Sequence, residues 1–291
     1  MKQITDIFQN TATLAQYAPT VDTSLAIGDL KAAFMVSWKQ LSAIIPDEVL
    51  DLVATSADDS MLVPLRQALA NRTLASNAIF SAYHQRRAGT DVFKYEVEQM
   101  QRTYQENYFA AVDTLLTVLS ALADVEERGA IGACFAASRQ YQLAAQCRIK
   151  SAKDFDLLYP IDLSYHFFFR TLPLQREVAS GRMAAYYDRT DSSDLLLQLD
   201  LALAKKTVAK ALRRFDILEF PPAIRNLFDE SHASRAGANE AARALQLADL
   251  LDSEADALLA DIDTLLDSAT TPSLTSASAC NRPDDKIILM P

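Results

Sequence analysis

"AVDTLL" at residues 111–116 returns as "DIDTLL" at residues 261–266, 150 positions later in a chain of 291 residues. Each copy closes a long run with helical spacing. From 91 to 122, Phe93, Val97, Met100, Tyr104, Tyr108, Val112, Leu115, Leu119 and Leu122 recur at steps of three and four, which places them on one stripe of an α-helix. Glu96, Glu98, Arg102, Gln105 and Asp113 fall on its other faces. From 239 to 267, Leu247, Leu251, Ala255, Leu258, Ile262 and Leu265 obey the same rule. A helix of about 30 residues is about 45 Å long, a length suited to the spine of a bundle.

Working outward, further blocks correspond in the same order. "SAYHQRRAG" ends at Gly89 before the first spine, and "SHASRAG" ends at Gly237 before the second. "LVPLRQALANRTLA" at 62–75 matches "LLQLDLALAKKTVA" at 196–209, and both read as buried helices. Asn10 precedes Pro19 by nine residues, as Ser151 precedes Pro160. Asn and Ser are good N-caps, because their side-chain oxygens accept orphan backbone N–H groups. Proline stops a short helix because it cannot continue the hydrogen-bond ladder. The offsets of 141, 134, 148 and 150 drift as insertions in the connections would make them.

The expected fold is therefore all-α: two tandem, duplicated helical-bundle units with long spine helices. Residues 1–125 form the first unit and 151–267 the second, with a linking helix across 126–150 that carries Ile131, Phe135 and Tyr141. Residues 268–291 form a Ser/Thr/Pro-rich extended tail whose tip is "KIILMP". Low glycine (6) and proline (10) content and 50% hydrophobic residues agree with long helices around a substantial core.

The formal charge of −10 weighs against broad nucleic-acid binding, because an acidic chain gains nothing from neutralising phosphates. Cys134, Cys147 and Cys280 form no CxxC pair and suit a reducing compartment. The opening "MKQITDIFQN" lacks the apolar stretch of a signal peptide, and no run of about 18 apolar residues marks a membrane span. His84, His166 and His232 match no zinc spacing, and no Glu-x-x-His pair suits a di-iron bundle. "RGAIGACF", with Gly129 and Gly132, is neither a dinucleotide fingerprint nor a P-loop. Asp58, Asp59 and Asp154 open helices, where their charge complements the dipole. Lys205, Lys206, Lys210, Arg213 and Arg214 lie on one helical face, either solvated or facing an acidic partner or phosphate. No metal, cofactor or catalytic residue is expected.

Three stretches resemble an uncharacterised helical family from phage and prophage genomes. They are "IFQNTATLAQYAPTVDTSL" at 7–25, "RRAGTDVFKYEVEQMQRTYQENYFAAVDTLLTVL" at 86–119 and "IKSAKDFDLLYPIDLSYHFFFRTLPLQREV" at 149–178. That family is similar to phage head–tail connector, or neck, proteins. The resemblance implies a virion structural subunit, present in the host cytoplasm during assembly, which forms a ring-like homo-oligomer between portal and tail-side proteins. DNA would pass through such a ring without specific recognition. Chain doubling sets this sequence apart from the small, single-unit connectors. Candidate assembly residues are Lys286, Ile287, Ile288, Leu289 and Met290 in the tail, and Phe167, Phe168 and Phe169 in the aromatic run. The alternative is a cytosolic helical adaptor that holds a protein partner in a groove between its two units.

Overall fold

The computed structural model describes residues 2–19, 21, 25–87, 93–181, 183–227 and 237–270. Among them the chain is all-α, with fourteen α-helices and no strand. They are α1 (Ile4–Ile7), α2 (Thr11–Ala15), α3 (Lys31–Ser42), α4 (Asp47–Ala54), α5 (Asp59–Arg87), α6 (Lys94–Asp124) and α7 (Ala130–Ala136). The second half supplies α8 (Arg139–Gln146), α9 (Ala152–Leu158), α10 (Tyr165–Ala179), α11 (Ala184–Tyr187), α12 (Ser193–Arg214), α13 (Pro222–Arg225) and α14 (Gly237–Thr270). Turns of 3₁₀ helix lie at Ile27–Leu30 and Ile217–Glu219.

Helix starts follow the local chemistry. The Asn10 side chain accepts from the Thr13 amide at 2.8 Å, and that of Ser151 from the Asp154 amide at 3.0 Å. Asp58 accepts from the Ser60 amide at 2.9 Å, and hydrogen bonds from the Ser60 side chain and amide hold its carboxyl below the usual carboxylate range. Glu96 reaches back to the Phe93 amide at 3.1 Å and fixes the entry into α6. Pro160 stands two residues after α9, whereas α2 stops four residues before Pro19. Residues 126–148 do not form a single linking helix. The Ser138 hydroxyl accepts from the Tyr141 amide at 3.3 Å and starts α8 afresh, so the segment is two short helices.

Two long antiparallel pairs dominate, α5 with α6 and α12 with α14. Between them lies α10, which packs against α6, α8, α9 and α12. Buried residues of both halves join one continuous core, from Phe8, Phe34 and Trp38 through Leu115 and Leu119 to Phe167, Leu203 and Ile262. The short first helices are strapped onto the first pair. The Tyr104 hydroxyl donates to the Pro19 carbonyl at 3.0 Å, and the buried Asn71 amide donates to the Tyr17 carbonyl at 3.1 Å. In the core, the Gln175 amide pairs with both backbone groups of Ile149, at 2.9 and 3.2 Å, and so satisfies an irregular segment at no loss of burial.

The order of elements is similar in the two halves: a short capped helix, intervening helices, then a long pair. Their surroundings differ. Helix α6 is covered by α5, α7 and α10, so Leu115 is fully buried; α14 packs mainly on α12, and the matching Leu265 is 48% exposed.

Candidate functional site

The sequence-derived residues are placed as follows. Lys286, Ile287, Ile288, Leu289 and Met290 lie outside the described residues, as does Cys280. Phe167, Phe168 and Phe169 are buried at 0%, 1% and 7% exposure, and this corrects their reading as an assembly surface. Phe167 meets Phe220 with ring centroids 5.4 Å apart, Phe168 meets Phe155 at 6.4 Å, and Phe169 meets Phe135 at 5.9 Å. Edge-to-face and tilted aromatic pairs of this kind hold α10 in the core, and their rings present nothing to a neighbouring subunit.

The basic face of α12 is answered from within the chain. Lys205 pairs with Glu254 at 2.7 Å, Lys206 with Asp256 at 3.0 Å, and Arg213 with Asp249 and Asp252 at 2.7 and 2.6 Å. Glu177 on α10 accepts from Lys210 and Arg214, both at 2.7 Å, and these two hydrogen bonds lower its pKa to about 2. A phosphate or acidic partner would have to displace carboxylates already in place. Among the described residues no cluster of three or more His, Cys, Asp or Glu could hold a metal ion. No helix among them is long and apolar enough to cross a membrane.

Two features remain that packing alone does not use. The first is the end of the α5–α6 pair. Ala78, Ala82 and Val97, with Met100 against them, form a small cluster separate from the main core. On the outer surface beside it, Ile79, Phe80, Tyr83, Phe93 and Tyr95 are 58% to 64% exposed. The Phe93 and Tyr95 rings stack at 5.7 Å. Isolated exposed hydrophobics are ordinary, but five large ones around one helix pair form a patch. Periodicity put Phe93 on the buried stripe; the structure leaves it exposed, at the N-cap of α6.

The second feature is a cleft of about 360 Å³ between the halves, lined by Gln40, Ala43, Ile44, Arg72, Gln105, Tyr108, Phe109, His166, Arg170, Asp216 and Glu219. His166 is 2% exposed, its ring lies 5.1 Å from that of Phe109, and its Nε2 has no hydrogen-bond partner. Burial, assisted by the Arg170 charge, lowers its pKa to about 3, so the imidazole is neutral. Burial likewise raises the Tyr108 hydroxyl to about 12. The start of α10 is fixed by Asp113 of the repeated motif, which accepts from the His166 amide at 2.8 Å and from the Ser164 hydroxyl at 3.1 Å. Burial raises the pKa of Asp113 against the pull of those bonds. The corresponding Asp263 also ties its helix to another element, accepting from the Tyr186 hydroxyl at 2.7 Å and from Arg189 at 3.1 Å. Asp113→Ala removes the acceptor of the His166 amide and the Ser164 hydroxyl, while Ser164 still caps the Phe167 amide, and is expected to cost about 2 kcal/mol in urea titrations, with Asp113→Asn losing less.

No known protein-family pattern, curated protein or solved structure matches this chain.

Proposed function

We propose that this protein is a structural subunit that acts by self-assembly, without catalysis, and that the end of the α5–α6 pair is its contact with a second copy. The observation that carries this reading is the group of exposed apolar side chains at Ile79, Phe80, Tyr83, Phe93 and Tyr95, seated on a cluster of their own beyond the main core. Charge favours a copy of the same chain as occupant. The chain carries −10 overall, yet residues 76–98 hold three Lys/Arg (Arg86, Arg87, Lys94) and three Asp/Glu (Asp91, Glu96, Glu98). The stretch is locally neutral, so it adds no net repulsion between two acidic copies. An apolar projection that seats elsewhere on its neighbour gives a head-to-tail contact, and such contacts close into rings when the rotation permits. A head–tail connector in a phage particle is an assembly of this kind, and the resemblance of residues 7–25, 86–119 and 149–178 supports that reading. Tandem copying of one helical unit is part of the same proposal, supported by the shared motif and the shared order of elements.

Light scattering over a concentration series tests it. The wild-type chain is expected to exceed the 32.1 kDa of one copy, with rings visible in negative stain. Replacing Ile79, Phe80 and Tyr83 together by Ser is expected to leave a monomer with an unchanged melting temperature, since these side chains lie outside the main core. A wild-type monomer at every concentration would overturn self-assembly, and would turn the same surface towards the adaptor reading. Equal assembly by the triple variant would remove the α5–α6 end from the contact.

A further inference from the structure

Beyond assembly, we propose that the cleft between α3, α5, α6, α10 and the 217–219 turn binds a small organic monoanion, a carboxylate on a planar or compact apolar body, held by Arg72 and Arg170.

Both guanidiniums are oriented by partners that leave their ends available. Arg72 donates from Nε to the Gln40 side-chain oxygen, and its guanidinium lies 5.7 Å from the centre of the Tyr108 ring. Arg170 donates from Nε to Glu219 at 2.7 Å, with its guanidinium 4.9 Å from the Phe215 ring. Among the described residues, no hydrogen bond or carboxylate partner engages the terminal nitrogens of either. A guanidinium pinned at Nε and stacked on a ring presents its two terminal N–H groups as a fork, the geometry that meets a carboxylate bidentately. Both arginines line the same cleft.

The rest of the cleft suits the body of such a ligand. Ala43, Ile44, Tyr108 and Phe109 supply apolar wall, and about 360 Å³ falls within the range of small-molecule sites. The His166 ring lines the same wall, with its buried Nε2 closed off behind it, so the ring reports on what occupies the cleft. Asp216 and Glu219 at the rim bring the charge of the lining to zero with the two arginines. That balance favours one negative charge over two.

Benzoate serves as the probe, with inorganic phosphate and phenyl phosphate beside it. The chain has three histidines, so the His166 ring resonance is assigned by its loss in His166→Gln. Benzoate is expected to shift it saturably, with phenyl phosphate at least threefold weaker and inorganic phosphate without effect. Arg72→Gln is expected to weaken benzoate at least tenfold, and Arg72→Lys, which keeps the charge but loses the fork, also weakens it. Unchanged melting temperatures show that the variants are folded; should Arg72→Gln not fold, Arg72→Lys alone decides. No saturable shift with benzoate, equal affinity in the folded Arg72 variants, or an equal response to inorganic phosphate would each overturn the proposal. The readout is independent of oligomeric state, so it stands or falls apart from the assembly reading.

Discussion

Gly132→Ala is expected to destabilise the fold by about 3 kcal/mol, while Gly129→Ala, three residues earlier, costs at most about 1 kcal/mol. The difference is one of space. A Cβ on Gly132 would lie 2.3 Å from the Leu122 carbonyl oxygen and 2.9 Å from its carbon. Both are backbone atoms near the end of α6, and no rotamer change can clear them. Helix α7 would have to retreat. It carries Phe135, which is fully buried and meets the Tyr141 and Phe169 rings at 5.9 Å each, so the retreat loosens the contact between α6, α8 and α10. A Cβ on Gly129 meets nothing within 4 Å, and the only loss there is a better N-cap. Urea titrations of the two variants make the comparison; a Gly132→Ala midpoint equal to that of wild type would show that α7 is not seated on the α6 backbone.

The role of Gly132 could not be read from "RGAIGACF", because a close approach between helices leaves no periodic mark. What was legible is what one helix decides alone. Val97, Tyr104, Tyr108, Val112, Leu115 and Leu119 are buried as their spacing requires, and Asn10 and Ser151 cap as their side chains allow. Readings failed where the answer depended on which helix lies alongside. Phe93 sits on a correct stripe but stays exposed, Leu265 falls one position off the buried line of α14, which runs through Leu251, Ala255, Leu259, Ile262 and Leu266, and the basic residues of α12 face the acidic residues of α14, which begins more than twenty residues after α12 ends. Pro64 and Pro173 lie inside α5 and α10 without ending them, so the terminating role assigned to Pro19 and Pro160 is local rather than general. The cleft was invisible for the same reason. Gln40, Arg72, Tyr108, His166 and Arg170 come from four helices, and no spacing in the chain joins them.

His166 is expected to make the fold acid-labile well above the range in which carboxylates titrate. Its pKa is about 3 in the folded chain, against 6.5 for an ordinary histidine. Between these values the unfolded chain binds a proton that the native chain refuses. Stability therefore rises with pH across this window and falls as the medium is acidified from 6.5 towards 3. One proton gives a slope of about 1.4 kcal/mol per pH unit, or roughly 2 kcal/mol between pH 7 and pH 5. The groups facing the imidazole fix the sign. Arg170 repels a second positive charge, Asp113 is spent on the backbone amides and hydroxyl at the start of α10, and Phe109 offers no acceptor. Asp113 works in the opposite sense. Its raised pKa means that the native chain holds a proton more readily than the unfolded one just above 3.8, so acidification there recovers part of the loss. Urea titrations at pH 7 and pH 5 separate this contribution from the other carboxylates if wild type is compared with His166→Leu, which keeps the apolar packing and cannot be protonated. The wild-type chain should lose roughly 2 kcal/mol more than the variant over that interval. Equal losses, or a His166 ring signal that titrates near pH 6.5, would mean that water reaches the Nε2 atom and that the wall of the cleft is open where the structure closes it.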